Sequence, residues 1–271
     1  QPPDLTADVL RKVFEKLPTE DRRPLALVSK GIRALDLDVG KRYFRKISVG
    51  FRDAVDIVAH TPSGNFRFKA TSNEGFDASE TAYLCNFFKK TTTKKLSVYV
   101  SHSRDPNALF AIFESIKDIS FYFESETTVD YSEMLSKIVD SLNEKRDLEC
   151  VSLNFTGFGR TNLSLIRKSL LKMPKLNRFI TSLPGFALDG YTLSHLLMNS
   201  KQLGILRGSI SPRDLLEAFE ILVRSDIVYA WSDMHVLGLH RGELSTLANA
   251  RNGYKIEENP HHVCVQDGSL K

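Results

Sequence analysis

Short runs of β-type residues alternate with helical patterns over most of the chain, and this alternation limits the possible folds more than any other feature. The runs begin every 23 to 32 residues, at 95–100, 118–123, 148–155, 176–182, 203–208 and 235–240. Helical patterns fill the intervals, at 105–117, 130–145, 160–173, 189–200 and 211–225. Strand and helix in alternation at a near-constant period are typical of a βα solenoid. Because βαβ crossovers are right-handed, we expect parallel strands in one curved sheet.

The helical patterns carry starting signals of the expected chemistry. Side chains that can accept a hydrogen bond from the first turn precede four of the helices. A proline, which suits the first helical position, follows two of these side chains. The predicted caps are Asp105, Asp130, Asp189 and Ser211, and the predicted first-turn prolines are Pro106 and Pro212.

Residues 46–94 and 259–271 fit the alternation less well. Two strands are predicted at 45–51 and 64–70 and a helix at 79–90, and together they form either a degenerate first repeat or a cap on the solenoid. The final segment, 259–271, has no clear period, and we interpret it as a tail that frays.

Composition places the chain among ordinary globular proteins. Apolar residues make up 42% and charged residues 26% of the 271 positions, which argues against global disorder. The net charge of +4 permits an acidic partner but does not favour nucleic acid. Cys85, Cys150 and Cys264 are far apart, as expected of reduced thiols in a cytoplasmic or nuclear protein. No apolar run is long enough to predict a membrane span.

The first 48 residues read as three short helices. Leu5, Val9, Leu10, Val13 and Phe14 recur near helical spacing, and Pro18 ends that helix at Leu17. Thr19 is the predicted cap of the second helix, and we expect a break or a restart at Pro24. So small a segment buries little apolar surface by itself.

A third helix, over "LALVSKGIRAL" at 25–35, carries more apolar residues than one helix face can hold. Its surplus apolar surface requires either the adjoining domain or a partner protein to cover it.

This N-terminal segment resembles an F-box. The pieces "PPDL" (2–5), "VLRKVFEKLP" (9–18), "TEDR" (19–22) and "LALVSKGIRAL" (25–35) follow one another in the order and spacing of that family. The sequence departs from the family pattern where Pro2 and Pro3 replace the opening Leu-Pro, where Ile32 replaces the usual Trp, and where Pro24 lies inside the second helix.

The resemblance implies a substrate receptor of a cullin–RING ubiquitin ligase, in which the F-box binds a Skp-type adaptor and, through it, a cullin. The positions that match the family's adaptor-binding residues are Pro3, Leu5, Leu10, Pro18, Leu25, Val28 and Ile32. Val28 and Ile32 are four residues apart and are expected to share a helix face. The implied domains are an F-box at 1–48, a substrate-binding domain at 49–258 that resembles leucine-rich-repeat or F-box-associated domains, and the tail at 259–271. The predicted fold class is α/β, with the three-helix F-box followed by an irregular βα solenoid that has a parallel curved sheet. The alternative function is a protein-binding scaffold outside the ubiquitin system.

The sequence lacks three common motifs for catalysis or cofactor binding. There is no GxSxG, no GxxxxGK[ST] and no HExxH, so we expect neither an enzyme nor a cofactor. "GFGR" at 157–160 lacks a third glycine and reads as a turn. His261, His262 and Cys264 lack a fourth metal ligand, and His235 and His240 read as surface residues. The lysine-rich "KKTTTKK" at 89–95 reads as a solvated turn or as a contact for an acidic partner.

Alternation along the strands predicts which residues meet the substrate protein. In "LECVSLNF", Val151, Leu153 and Phe155 form the apolar set that faces the helices, so Ser152 and Asn154 face the concave surface. In "HVLGLH", the same argument turns Leu237 and Leu239 toward the core and leaves His240 exposed. Trp231 precedes a predicted strand and is either a core residue or, in a loop on the concave rim, an anchor for the substrate. With Arg241 near the later repeats, it completes the predicted substrate-binding set of Ser152, Asn154, Trp231, His240 and Arg241.

Overall fold

The computed structural model describes residues 7–26, 28–32, 42–51, 55–62, 64–70, 76–88, 91–100, 116–124, 130–222, 229–232, 235–236, 254–259 and 262–267. The chain divides into two compact units: unit 1 is Gln1–Val98 with Pro106–Lys117, and unit 2 is Tyr99–Asp105 with Asp118–Lys271. This division differs from the predicted boundary at residue 48, because the strands that follow it group with the N-terminal helices. Among the described residues, no helix has the length and apolar character needed to cross a membrane.

Unit 1 begins with two helices, α1 (Ala7–Lys16) and α2 (Thr19–Ala26). The backbone N–H of Leu17 still donates to the carbonyl of Val13, so the turn closes where Pro18 was predicted to stop it. The predicted break at Pro24 is wrong, because α2 continues through it for two more residues. Pro24 has no backbone N–H to donate, so it removes one helical hydrogen bond. The helix ends two residues later, at Ala26.

Three strands that pair in antiparallel register follow in unit 1. Its strands are β2 (Lys46–Phe51), β3 (Val55–His60) and β4 (Asn65–Lys69), with β3 paired to both neighbours. The strands at β2 and β4 were predicted, whereas β3 was missed although Val55, Ile57 and Ala59 are buried in alternation. Because the pairing is antiparallel, this segment does not continue the parallel pattern predicted for the later strands.

Two very short strands, β1 (Arg42–Phe44) and β5 (Thr91–Thr93), pair in parallel in unit 1. Thr91 and Thr93 are buried, so the interpretation of "KKTTTKK" as a solvated turn is wrong at these two positions. Lys94, directly after β5, is exposed and remains compatible with a charged contact.

An aromatic cluster forms much of the core of unit 1. Helix α3 (Ala78–Phe88) brings Phe87 and Phe88 against rings from the strands. The Phe68 and Phe87 ring centroids are 4.9 Å apart, and those of Phe44 and Phe88 are 6.1 Å apart. Strand β6 (Leu96–Val100) spans the division between the units and buries Leu96, Val98 and Val100.

Unit 2 is built on five adjacent strands, and all four neighbouring pairs are parallel. In spatial order they are β7 (Asp118–Phe123), β8 (Cys150–Phe155), β9 (Leu176–Ser182), β11 (Ser200–Leu206) and β13 (Tyr229–Ser232). The helices between them are α4 (Ser132–Asn143), α5 (Leu163–Leu170), α6 (Gly190–Met198) and α7 (Pro212–Leu222). The predicted alternation of parallel strands and helices is therefore confirmed in these residues.

The helix starts of unit 2 follow the predicted chemistry closely. Asp189 caps α6 through the N–H of Thr192 at 2.7 Å, and the Ser211 hydroxyl oxygen accepts from the N–H of Asp214 at 3.2 Å. Asp130 lies one residue before the observed cap of α4, yet its carboxylate accepts from the N–H of Ser132 at 2.8 Å. Asp105 and Pro106 lie outside the described residues.

A second, smaller parallel sheet forms where main strands turn toward helices in unit 2. It contains β10 (Ala187–Leu188), β12 (Ser209–Ile210) and β14 (His235–Val236). The prediction that 235–240 forms the next strand of the main sheet is therefore wrong: β13 takes that place, and β14 joins the small sheet. Residues 237–240 lie outside the described part.

The far edge of the unit 2 sheet is antiparallel, which the sequence did not predict. Strands β15 (Tyr254–Asn259) and β16 (His262–Asp267) form an antiparallel pair, and β16 adds to β13 in antiparallel register. The interpretation of 259–271 as a fraying tail is thus wrong for His262–Asp267. A hairpin that pairs with an existing strand gains its backbone hydrogen bonds from distant residues.

Candidate functional site

The apolar stripe of α1 is divided between the interior of unit 1 and its surface. Phe14 is 2% exposed and anchors the helix, and Leu10 and Leu17 are half-buried. Val9 and Val13, one helical turn apart, are each 44% exposed. The structure thus leaves one edge of the stripe exposed to solvent, and the predicted binding set missed both valines.

The segment after α2 exposes two further apolar residues. Leu25 is 38% exposed and Val28 is 72% exposed. We call Val9, Val13, Leu25 and Val28 the N-terminal apolar set. Exposed valine and leucine side chains are unremarkable singly, but four within 20 residues of a short helical segment make this segment a candidate surface for contact with another protein.

The predicted single helix over 25–35 is wrong. The N–H of Val28 donates to the carbonyl of Leu25 at 3.0 Å, which closes α2, and the hydroxyl of Ser29 accepts from the N–H of Ile32 at 3.1 Å. A serine that bonds the N–H three residues later starts a new helical turn. Val28 therefore precedes that turn, and it does not share a helix face with the half-buried Ile32 as predicted.

Polar contacts hold these helices in unit 1. The hydroxyl of buried Thr19 accepts from the N–H of Tyr43 at 3.2 Å, which joins the start of α2 to β1. The guanidinium of buried Arg22 donates to the carbonyl of Leu17 at 2.8 Å. The predicted adaptor-binding residues Leu10, Pro18, Leu25, Val28 and Ile32 all lie on this part of unit 1. Pro3 and Leu5 lie outside the described residues.

The main sheet of unit 2 presents a second candidate surface. Val151, Leu153 and Phe155 are at most 1% exposed, whereas Ser152 and Asn154 on the other side of β8 are half-buried. This alternation is the one predicted from the sequence. In register with Ser152 on β9 lies the half-buried Ile180, and the neighbouring Phe179 is buried. We call the side that carries Ser152, Asn154 and Ile180 the open face of unit 2.

An ion pair lies near the beginning of strands β7 and β8. Asp118, Cys150 and Arg178 are in register on three adjacent strands, and the Arg178 guanidinium reaches the Asp118 carboxylate at 3.0 Å. Burial raises the pKa of the Cys150 thiol, and the nearby guanidinium opposes that effect. The thiol is therefore protonated at neutral pH, which does not favour a nucleophilic role.

Two tyrosines stack at another part of the open face. The Tyr99 and Tyr122 rings are nearly parallel at 13°, with centroids 4.8 Å apart, and both side chains are half-buried. Asn154, in register with Tyr122, donates its amide to the carbonyl of Phe121 at 3.2 Å. Stacked, half-exposed tyrosines provide a rigid contact surface with hydroxyl groups at its edge. The sequence indicated these residues only as members of strands.

The later predicted substrate residues are only partly placed. Trp231 was predicted to precede a strand, in the core or in a loop, but the structure places it within β13, in register with Gly204 on one side and Cys264 on the other. The reason is that β11 and β16 pair with this segment from both sides. His240 and Arg241 lie outside the described residues.

Two of the sequence motifs considered for metal or phosphate binding can be compared with the described residues. No group of three or more His, Cys, Asp or Glu side chains among them could hold a metal ion. The "GFGR" segment lies between β8 and α5 and forms a turn, with Gly159 at a φ of 51°, a conformation that glycine adopts at low cost.

Comparison with known proteins assigns the N-terminal segment. Residues 2–35 match the model of the F-box domain, and this range includes α1, α2 and all four members of the N-terminal apolar set. No curated protein matches the chain. The chain therefore carries an F-box domain in its N-terminal part.

Proposed function

We propose that this protein is a substrate-recognition adaptor of a Skp–cullin–F-box ubiquitin ligase. The F-box match over residues 2–35 carries the proposal, because proteins with this domain typically bind Skp-type adaptors. The N-terminal apolar set supplies exposed surface of the kind that such an interface needs. The protein would reach the cullin through the adaptor, in the cytoplasm or the nucleus.

Burial of the N-terminal apolar set would provide binding energy. Full burial of a valine or leucine side chain is worth about 1.5–3 kcal/mol, and Val28 has most of its surface still to bury. Val9, Val13 and Leu25 each retain more than a third of theirs. Association costs entropy as well, so the interface would require most of the set together.

Unit 2 would bind the substrate protein, in a manner similar to leucine-rich-repeat or related F-box-associated domains. The open face supports this role, since it presents Ser152, Asn154, Ile180 and the Tyr99–Tyr122 stack. Trp231 in β13, with His240 and Arg241, completes the proposed substrate-binding set.

The chain itself would perform no catalytic step and need no metal or cofactor. By holding the substrate near the ligase, it would raise the effective concentration of the reacting groups.

Binding to a Skp-type adaptor tests the proposal. Titration calorimetry with the full chain should show a saturable complex, and Val13→Asp with Val28→Asp should weaken it by at least about a hundredfold, since each substitution places a charge in an apolar interface. The matched control is Leu165→Asp, which alters a residue 39% exposed on α5 of unit 2 and should leave the affinity unchanged.

Two results would argue against the proposal. If the wild-type chain fails to bind any Skp-type adaptor while unit 2 still captures a partner protein, the alternative of a protein-binding scaffold outside the ubiquitin system is favoured. If the double variant binds as tightly as the wild type, the N-terminal apolar set is not the interface.

A further inference from the structure

Strand β4 forms the edge of the antiparallel sheet of unit 1. It stands last in the strand order, and of the described strands only β3 pairs with it. Its side chains alternate between exposed and half-buried: Asn65, Arg67 and Lys69 are exposed, whereas Phe66 and Phe68 face the aromatic cluster. The outer edge of β4 is therefore a place where another strand can be added.

The hydrogen-bond pattern shows which backbone groups point away from the sheet. The N–H of Ala70 donates to the carbonyl of Val55 at 2.9 Å, and that of Thr61 to the carbonyl of Gly64 at 2.8 Å. In an antiparallel pair, bonded and non-bonded residue pairs alternate, so Phe66 and Phe68 bond to β3. The N–H and C=O groups of Arg67 and Lys69 therefore point outward, away from β3.

The same residues carry positive charge. Arg67 and Lys69 lie on the exposed side of β4, and Lys46 lies on that side of β2. The carboxylate of Asp56 balances one of these charges, at 2.7 Å from the Arg67 guanidinium, whose side chain stays 68% exposed. The edge thus combines outward backbone hydrogen-bonding groups with a net positive side-chain row.

We infer that the β4 edge binds an extended, acidic segment of a partner protein by strand addition. Outward N–H and C=O groups repeating along a strand are complementary to another polypeptide backbone, and the basic row is complementary to Glu and Asp side chains. A nucleic acid or an anionic membrane would satisfy the charges but not the alternating backbone groups. This inference concerns unit 1 and does not depend on the proposed function.

A designed peptide tests the inference on the full chain. The probe is a fluorescein-labelled ten-residue peptide that alternates Glu and Val, and fluorescence anisotropy measures its affinity. Hydrogen–deuterium exchange should show slower exchange at Arg67 and Lys69 when the peptide is bound. Lys69→Glu should weaken binding by about tenfold, because a favourable cross-strand charge pair becomes repulsive. Lys168→Glu, the same charge change at an exposed residue of α5, should have no effect.

Two control peptides separate backbone from charge recognition. The Glu–Val peptide N-methylated at every residue has no backbone N–H to donate from either edge and should lose binding, as should a peptide that alternates Lys and Val. Equal affinity for the N-methylated peptide would overturn strand addition, and equal affinity for the Lys–Val peptide would overturn the acidic preference. If the Glu–Val peptide fails to bind, or if only a single-stranded oligonucleotide or anionic vesicles bind, the inference is wrong and the charges serve to protect the edge.

Discussion

At Gly190, the first residue of α6, the absence of a side chain lets a carboxylate from α7 reach the backbone. The N–H of Gly190 donates to the Asp214 carboxylate at 2.9 Å. A methyl group built at this glycine would lie 3.0 Å from that carboxylate, 3.1 Å from the Glu217 carboxylate and 3.3 Å from the Asp214 Cα. The close approach of α6 and α7 in unit 2 therefore depends on this one residue.

Gly190→Ala should destabilise the protein by about 1–3 kcal/mol, the typical cost of forcing an extra methyl group into a packed site. Urea unfolding of the full chain measures the change. Gly50→Ala is the control, because no atom lies within 4 Å of the position its methyl group would take, and it should be neutral. Equal stability of the two variants would show that the α6–α7 junction relaxes without cost.

At the scale of single elements, the N-terminal cap of α7 combines a hydroxyl group with a carboxylate. The Ser211 hydroxyl both accepts from the N–H of Asp214 and donates to its carboxylate, and Pro212 occupies the first helical position. The hydrogen bond from Ser211, followed by the one from Gly190, holds the pKa of Asp214 below its ordinary value of 3.8. The charged carboxylate therefore stabilises the folded state.

This cap predicts a pH dependence of stability. Because the folded-state pKa of Asp214 is depressed, its contribution to the stability of the folded state is complete above pH 3.8. This contribution is lost as the pH falls through the pKa of the folded state. Asp214→Ala should lower the free energy of unfolding by about 1–2 kcal/mol near pH 7. The difference in the free energy of unfolding between variant and wild type should become smaller as the pH falls toward roughly 3. A gap that stays constant over this range would contradict the assigned role of the charge.

Elements were predictable where local pattern alone determines them. The strands at 118–123 and 176–182 were predicted at their observed bounds, because β-type residues fill each run and turns flank it. Strands β15 and β16 were not, since they are defined by pairing with β13 and with each other. The same long-range pairing places Trp231 in a strand. In the N-terminal segment, the Ser29 cap divides a stretch that was predicted to be one helix.

The candidate site was partly predictable for a related reason. Leu25 and Val28 could be selected from the sequence, because the motif resemblance marked them. Val9 and Val13 could not, because helical spacing identifies an apolar stripe but not how tertiary packing divides it. Here Phe14 anchors in unit 1 and leaves the two valines at the surface.

At the scale of the whole molecule, we propose different surfaces for different partners. The N-terminal apolar set and the β4 edge belong to unit 1, and the open face belongs to unit 2. The central claim is that the N-terminal apolar set is the surface that a Skp-type adaptor covers.

Hydrogen–deuterium exchange of the full chain, with and without a saturating Skp-type adaptor, tests that claim most directly. We expect slower amide exchange in α1, α2 and residues 28–32, with no change at β4 or in β8 and β9. Protection confined to the strands of unit 2, or no protection in residues 7–32 under conditions where the adaptor is bound, would contradict it.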